Sequence, residues 1–312
     1  DDVQGIADQM DLPWPVYAMD SGGMKGSFEA GYSAASLRIE KEMKTKEKIP
    51  ASVNVLGLST VHMKGREDAE EIRRLLSLCG IRVISMPGGG SNWEDIMAAP
   101  SASLNIVVRD ELGLSLAKQM EQDFGTPYMS CGLPYGTDGT MAWLSEIIEK
   151  LGAGELTRAS HEAAKLKEFL LRKGNNLESL WGPLWFDAVL ISAPPSEALG
   201  IAETIRSEWI DTARLVIHAQ CATKRSTPAA DAIRVVMKNE KEIAKDYEDW
   251  QGGLVLSSSH ETHLLRRMGR SFTGFHIALP SHDEVHFSDL PQCGLRGAGY
   301  LYEQLWNAKL RK

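Results

Sequence analysis

Cysteine is scarce: the chain has four in 312 residues, Cys79, Cys131, Cys221 and Cys293. No two have C-x-x-C spacing, and the gaps are too wide for a zinc ribbon. Each reads as a small buried hydrophobe. Long apolar runs are missing too; none reaches the roughly 18–20 residues that a membrane span requires. There is no basic excess. Lys and Arg number 34 against 42 Asp and Glu, a net charge of −8, which argues against a nucleic-acid partner because phosphate backbones need a basic face. The opening DDVQGIADQM lacks the basic and apolar regions of a secretory signal. A cytoplasmic, reduced setting without a disulfide framework is therefore expected.

Sequence fingerprints of common chemistries are also lacking. SGGMKG (21–26) has neither the G-x-G-x-x-G spacing nor the length of G-x-x-x-x-G-K-[ST]. No G-x-S-x-G is present, and no cysteine has a base placed by sequence. HETH (260–263) sets two histidines at i and i+3, whereas the zincin motif H-E-x-x-H needs i and i+4.

What is present is alternation. SVNVLGLS (52–59) is apolar and β-branched, a strand, and REDAEEIRRLLSLCG (66–80) repeats apolar residues at helix period. IRVISM (81–86), SLNIVVR (103–109) and TPYMSC (126–131) read as further strands with helices between and after them. A long helix over 156–174 leads to a second series. Its strands are WFDAVLISA (185–193), ARLVIHAQ (213–220), GGLVLSSS (252–259) and FTGFHIAL (272–279). AADAIRVVMKNEKEIAKDYEDW (229–250), HETHLLRRMG and LRGAGYLYEQLWNAKL are helical, and PVYAMD (15–20) is a strand without a preceding partner.

Such alternation implies α/β architecture with doubly wound parallel sheets. The expected organisation is a strand, Gly-loop and helix segment over 1–49, a middle Rossmann-like domain over 50–155, and a C-terminal Rossmann-like domain over 156–312 with a closing helix. Ligands in such folds bind at the carboxyl ends of strands, often in a crevice between domains. The candidate rim therefore includes Gly22, Gly23, Lys25 and Gly26, whose backbone could approach an anion. It also includes Arg109, Cys131, Ser258 and His260. Residues 256–287 hold five of the eight histidines: His260, His263, His276, His282 and His286. Ser257–Ser259 and Glu261 suit the cap and first turn of a helix better than a metal site. His276 reads as a core or interface residue. His282, Asp283 and His286, in the polar loop PSHDEVHF, could bind an acid, shuttle a proton or hold a metal.

Taken in order, these stretches resemble one family. ASVNVLGLS, SLNIVVR and MEQDFGTPYMSCGLPYGTDGTMAWLSEI are similar to the middle domain of nitrogenase component 1 subunits. LVLSSSHETHLLRRMG and GFHIALP…GLRGAGYLYEQLWN resemble that superfamily's last domain, and PVYAMDSGGMKGSFEAGYSAAS the segment before the middle one. Its members include nitrogenase subunits, cofactor-assembly scaffolds and dark-operative protochlorophyllide reductase subunits. The resemblance implies a nitrogenase-like oxidoreductase subunit seen in its C-terminal part, with the N-terminal cluster domain missing. It implies electrons from an ATP-dependent iron–sulfur reductase, a paralogous or identical component 1 partner, and an iron–sulfur or other metallocluster in the full-length protein. It gives Cys131 the role of cluster thiol, and His282 and His286 the role of proton donors. It places Arg109 where the nitrogenase α subunit carries a cluster-binding cysteine; a guanidinium binds anions instead. The alternatives are a scaffold or carrier for a metallocluster or tetrapyrrole, and a two-lobed ligand-binding protein.

Overall fold

The computed structural model describes residues 2–10, 12, 16–19, 26–219, 234–235, 247–248 and 250–311. After the short helix α1 (Val3–Asp8) and α2 (Phe28–Glu40), the chain alternates strand and helix. The first series is β1 (Ile49–Leu56), α3 (Gly65–Leu78), β2 (Arg82–Ser85), α4 (Trp93–Ala98), β3 (Ala102–Val107), α5 (Asp110–Phe124), β4 (Tyr128–Ser130) and α6 (Thr137–Leu151). The long helix α7 (Thr157–Trp181) crosses to the second series. There the order is β5 (Trp185–Ala193), α8 (Pro195–Thr204), β6 (Asp211–Ala219), β7 (Arg234–Val235), β8 (Leu254–Ser257), α9 (Ser259–Arg267) and β9 (Thr273–His276), and α10 (Gly294–Leu310) closes the chain.

Both sheets are parallel throughout, in the orders β2-β1-β3-β4 and β7-β6-β5-β8-β9. The fold is two Rossmann-like α/β units. A parallel sheet covered on both faces needs near-continuous apolar strands. The inner strands supply them: Val53 to Leu56, Leu104 to Val107 and Val189 to Ile191 are buried in unbroken runs. One hydrophobic cluster joins the two sheets. It takes Ile72, Leu75 and Leu76 from α3, Trp143 and Ile147 from α6, Val189 and Ile191 from β5, and Leu301 and Leu305 from α10. The closing helix α10 touches α3, α6, α7 and β9, and so ties the end of the chain to both halves.

Strand order reverses between β1 and β3 in the first sheet and between β5 and β8 in the second. Those reversals are the positions where doubly wound sheets open a crevice at their carboxyl ends.

Two expected elements differ. Residues 16–19 are not in a strand. Val16 and Tyr17 are exposed, no described strand pairs with them, and the Tyr17 ring lies 4.0 Å under the Arg38 guanidinium. Within the stretch expected to be helical, Arg234 and Val235 form β7, an edge strand paired with Val216 and Ile217 of β6. An exposed β6 edge satisfies their backbone groups as well as a helix would.

Candidate functional site

The reversal point of the first sheet is filled from within. Gly57 follows β1 at φ +91°, and a Cβ there would lie 2.6 Å from the Arg109 carbonyl oxygen. Glycine thus allows the two strand ends to approach closely. Arg109 itself is 0 % exposed. Its Nε and Nη2 donate to Glu197 Oε1 at 2.9 and 2.7 Å, and Nη1 donates to the Gly57 carbonyl at 3.3 Å. Glu197 lies in the first turn of α8, directly after β5. The carboxyl ends of the two sheets are therefore joined by a buried ion pair.

Further polar groups surround that pair. Asp68 on α3 accepts backbone N–H groups from Gln292 (2.7 Å) and Cys293 (3.0 Å) through Oδ1, while its Oδ2 has no partner among the described residues. Burial pushes its carboxyl up to about 6, against the opposing pull of Arg109. Burial likewise raises Tyr135 and Cys293 well above their ordinary values, and nearby carboxylates, Asp68 among them for both, add to this. Two more contacts cross between the halves. Ser196 Oγ donates to Glu111 Oε2 at 2.7 Å. The Glu208 carboxylate accepts the N–H groups of Thr137, Asp138 and Gly139 at 2.7–3.0 Å, an anion seated on the N-terminus of α6. Gly136 is required there, because a Cβ would meet Glu208 Oε1 at 2.3 Å.

The second sheet has the more open rim. Its rungs Ser192↔His218 and Ser257↔His276 put four buried polar side chains at the carboxyl ends of β5, β6, β8 and β9. Ser258 caps α9. The His260 N–H donates to Ser258 Oγ at 3.2 Å, and Ser258 N–H donates back to Glu261 Oε2 at 3.1 Å. This reciprocal box satisfies helix-end donors and fixes the entry angle of the chain. Ser258→Ala should cost about 1 kcal/mol, read as a lower denaturation midpoint while Ser258→Asn keeps most of the stability. In front of this turn lies a cavity of about 760 Å³. Tyr247, Ser259, His260, His263, Arg266, Arg267, His282 and Asp283 belong to its wall.

The loop after β9 folds back on His276. His276 Nδ1 is 2.8 Å from Ser281 Oγ, which is 3.2 Å from His286 Nε2. On its other edge, His276 Nε2 faces Asp283 Oδ1 at 3.3 Å and Thr262 Oγ1 at 3.4 Å. Asp283 is held by Arg266 (2.5 Å) and Ser259 (3.0 Å).

The residues singled out from sequence thus separate into two places. Ser258, His260, His282 and His286 gather around α9 and the 280–286 loop. Arg109 is at the first sheet, and it is not an open anion anchor: its anion is Glu197, because a fully buried guanidinium must be paired. Cys131 follows β4, half-buried, its thiol 3.8 Å from the Val107 carbonyl. Burial pushes that thiol up to about 12, far from a ready thiolate. Gly26 is exposed two residues before α2, while Gly22, Gly23 and Lys25 lie outside the described residues. Sequence reasoning passed over Glu197, Ser281 and Glu284. Only the acidic first turn of α8 hinted at Glu197.

A family model described as "Nitrogenase component 1 type Oxidoreductase" matches residues 1–310. One of the subunits of light-independent protochlorophyllide reductase from Chlorobium phaeobacteroides (strain BS1) is 25 % identical over 301 residues, covering 90 % of this chain and 55 % of that protein. The protein of the same name from Methylobacterium sp. (strain 4-46) is 22 % identical over 315 residues, covering 98 % and 60 %. The chain thus spans little more than half the length of these curated relatives. The solved structure "Nitrogenase Cp1 at pH 6.5" superposes with a TM-score of 0.68 at 17 % identity over 92 % of this chain and 66 % of that one, which shows a shared fold. No helix among the described residues is long and apolar enough to cross a membrane.

Proposed function

Since the chain belongs to the nitrogenase component 1 type oxidoreductase family, we propose that it is one component of a multi-subunit reductase. In this reading the complex takes electrons from an ATP-dependent iron–sulfur reductase and passes them to an acceptor bound between or beside its two α/β units. The observation that carries the reading is the family match along nearly the whole chain. The relatives' printed names, which are those of reductase subunits, agree with it. The domain division of the sequence reading, 1–49, 50–155 and 156–312, is kept as part of this proposal. One partner is a paralogous or identical component 1 protein.

The acceptor site is assigned to the cavity before α9. Arg109 is committed to Glu197, whereas the cavity presents His260, His263, His282 and Arg267 on its wall. Cationic and hydrogen-bonding groups of that kind suit an acceptor carrying carboxylates. Of the two histidines considered as proton donors, His282 belongs to that wall, while His286 is turned to Ser281. A positioned imidazole is suited to proton delivery near neutral pH.

A metallocluster is expected in the complex, but the described residues do not form a cysteine site for one. Cys79 and Cys293 are buried, and the one converging group of three ligand-type side chains among the described residues contains no cysteine. The cluster's ligands are therefore sought outside these residues, and no step of the reading is routed through them.

The test is anaerobic purification of the full-length gene product with its co-purifying subunits. Iron and acid-labile sulfide should be present, and an ATP-dependent iron–sulfur reductase should reduce the complex in an ATP-dependent way. An iron-free, colourless complex would overturn the reading. A cluster that the reductase cannot reduce would replace it with a carrier role.

A further inference from the structure

We infer that residues 195–209 form a strap across the cleft between the two α/β units, with a fixed inner end and a releasable outer end. The segment starts with α8 and ends in a single π-helical turn, Ile205–Trp209. It belongs to the second unit, yet it is fastened to the first at its start, middle and end. At the inner end Glu197 pairs with Arg109, and the Ser196 hydroxyl donates to Glu111. In the middle, Gly200 packs on the Tyr135 ring; a Cβ there would meet Cδ2 at 2.6 Å. At the outer end the Glu208 carboxylate accepts four hydrogen bonds from the start of α6. Their donors are the Thr137, Asp138 and Gly139 N–H groups and the Thr137 hydroxyl, at 2.7–3.0 Å.

The two ends are held by different physics. The side chains of Arg109 and Glu197 are 0 % and 5 % exposed, so parting them would strand a desolvated charge. Glu208 is only half-buried, and Asp138 beside it is exposed. The donors that hold Glu208 are those of a helix N-terminus, which water satisfies equally well. Its attraction to the helix dipole is screened by salt. Asp138, a second carboxylate at this end, accepts from Lys167 Nζ at 2.7 and 2.9 Å. Both of those side chains are more than half exposed, so this ion pair weakens with salt as well. Without that pairing the charge of Asp138 opposes that of Glu208. The π-turn delivers Glu208 to this place. The Ile210 N–H donates to the Ile205 carbonyl, five residues back, at 3.0 Å, so the side chains here are turned away from a regular α-helical course. Single π-turns are uncommon, and they recur at functional sites.

Behind the outer end lies a cavity of about 390 Å³, walled by Cys131, Tyr135 and Trp143 on the first unit and by Thr204 and Glu208 on the strap. The Glu208 contact closes that cavity on one side. Its release would swing the π-turn away from α6 about the Arg109–Glu197 anchor and expose Cys131, whose half-buried thiol lies against the Val107 carbonyl. Opening of the cleft is independent of which acceptor the complex reduces.

Cys131 is a native reporter of that motion. The full chain is treated with iodoacetamide, and alkylation of each cysteine is followed by mass spectrometry of its peptides, with the buried Cys79 and Cys293 as internal references. Glu208→Ala should speed the alkylation of Cys131 about tenfold and leave Cys79 and Cys293 at their native rates. Raising the salt concentration from about 0.05 to 0.5 M should speed Cys131 in the native chain but not in the variant. Glu197→Ala, by contrast, should speed all three thiols, because loss of the inner anchor lowers the stability of the whole chain. Circular dichroism shows whether Glu208→Ala is folded; if it is not, the salt series on the native chain decides alone. A Cys131 rate that neither the substitution nor salt changes overturns the strap. So does an acceleration by Glu208→Ala shared equally by Cys131, Cys79 and Cys293, because Glu208 would then serve overall stability and nothing local.

Discussion

Glu197→Ala is expected to lower the stability of the chain by about 3–5 kcal/mol, the cost of stranding one partner of a buried ion pair. The variant leaves Arg109, 0 % exposed, without the oxygen that receives two of its N–H groups. Burial alone would lower the Arg109 pKa, yet Glu197 chiefly, with Tyr135 and Asp68, keeps it above its ordinary value. A guanidinium is basic enough to stay charged even when Glu197 is lost, and its desolvation then goes uncompensated. Asp68 offers partial relief, which places the expected loss toward the lower end. The double variant Arg109→Met/Glu197→Leu removes both charges and should recover most of the stability, since well-packed apolar replacements of buried pairs are often neutral. Denaturant midpoints of the native chain and the two variants decide the matter. A Glu197→Ala chain as stable as the native one would mean that Arg109 finds another anion, and the first reversal point would again be open to a ligand.

That pair also marks the limit of what the sequence could show. The strands of both sheets were readable because parallel strands covered on both faces are nearly continuous apolar runs. WFDAVLISA was expected over 185–193, and β5 occupies those residues. The Ser-rich start and Glu261 of α9 were readable as a helix cap, because capping chemistry is local. Arg109 was read as facing a ligand, and nothing local contradicted that. Its partner is 88 residues away on another unit, and pairing across such a distance leaves no spacing signal. His276 was read as a core or interface histidine. It is buried, but at the last position of β9, and its neighbours come from the following loop. The loop's return onto the strand brings His276, Ser281, Glu284 and His286 together; an irregular loop has no periodicity from which to read that. The histidine-rich stretch therefore held two separate features. One is a cavity wall at His260, His263 and His282, and the other is a tight group at His276 and His286.

The second large effect concerns pH. Asp68 is buried, and its carboxyl is raised from the ordinary 3.8 to about 6. Burial is the main cause and the charge of Glu197 a lesser one; Arg109 and the N–H groups of Cys293 and Gln292 pull the other way. A carboxyl with a raised folded-state pKa holds its proton in the folded chain at pH values where the unfolded chain has released it. The folded state then binds more protons, so stability falls as pH rises through this window and levels off above it. A shift of about two units corresponds to a loss of about 2–3 kcal/mol between pH 4 and 7. Asp68→Asn isolates this contribution from other titrating groups. Its carbonyl oxygen can accept the Gln292 and Cys293 N–H groups as Oδ1 does, and its amide replaces the unpartnered Oδ2. The variant should match the native chain near pH 4 and exceed it by about 2–3 kcal/mol near pH 7. Denaturant titrations at several pH values measure the difference directly. A difference that does not change with pH would mean that Asp68 is ionised throughout, with Arg109 rather than burial governing its charge.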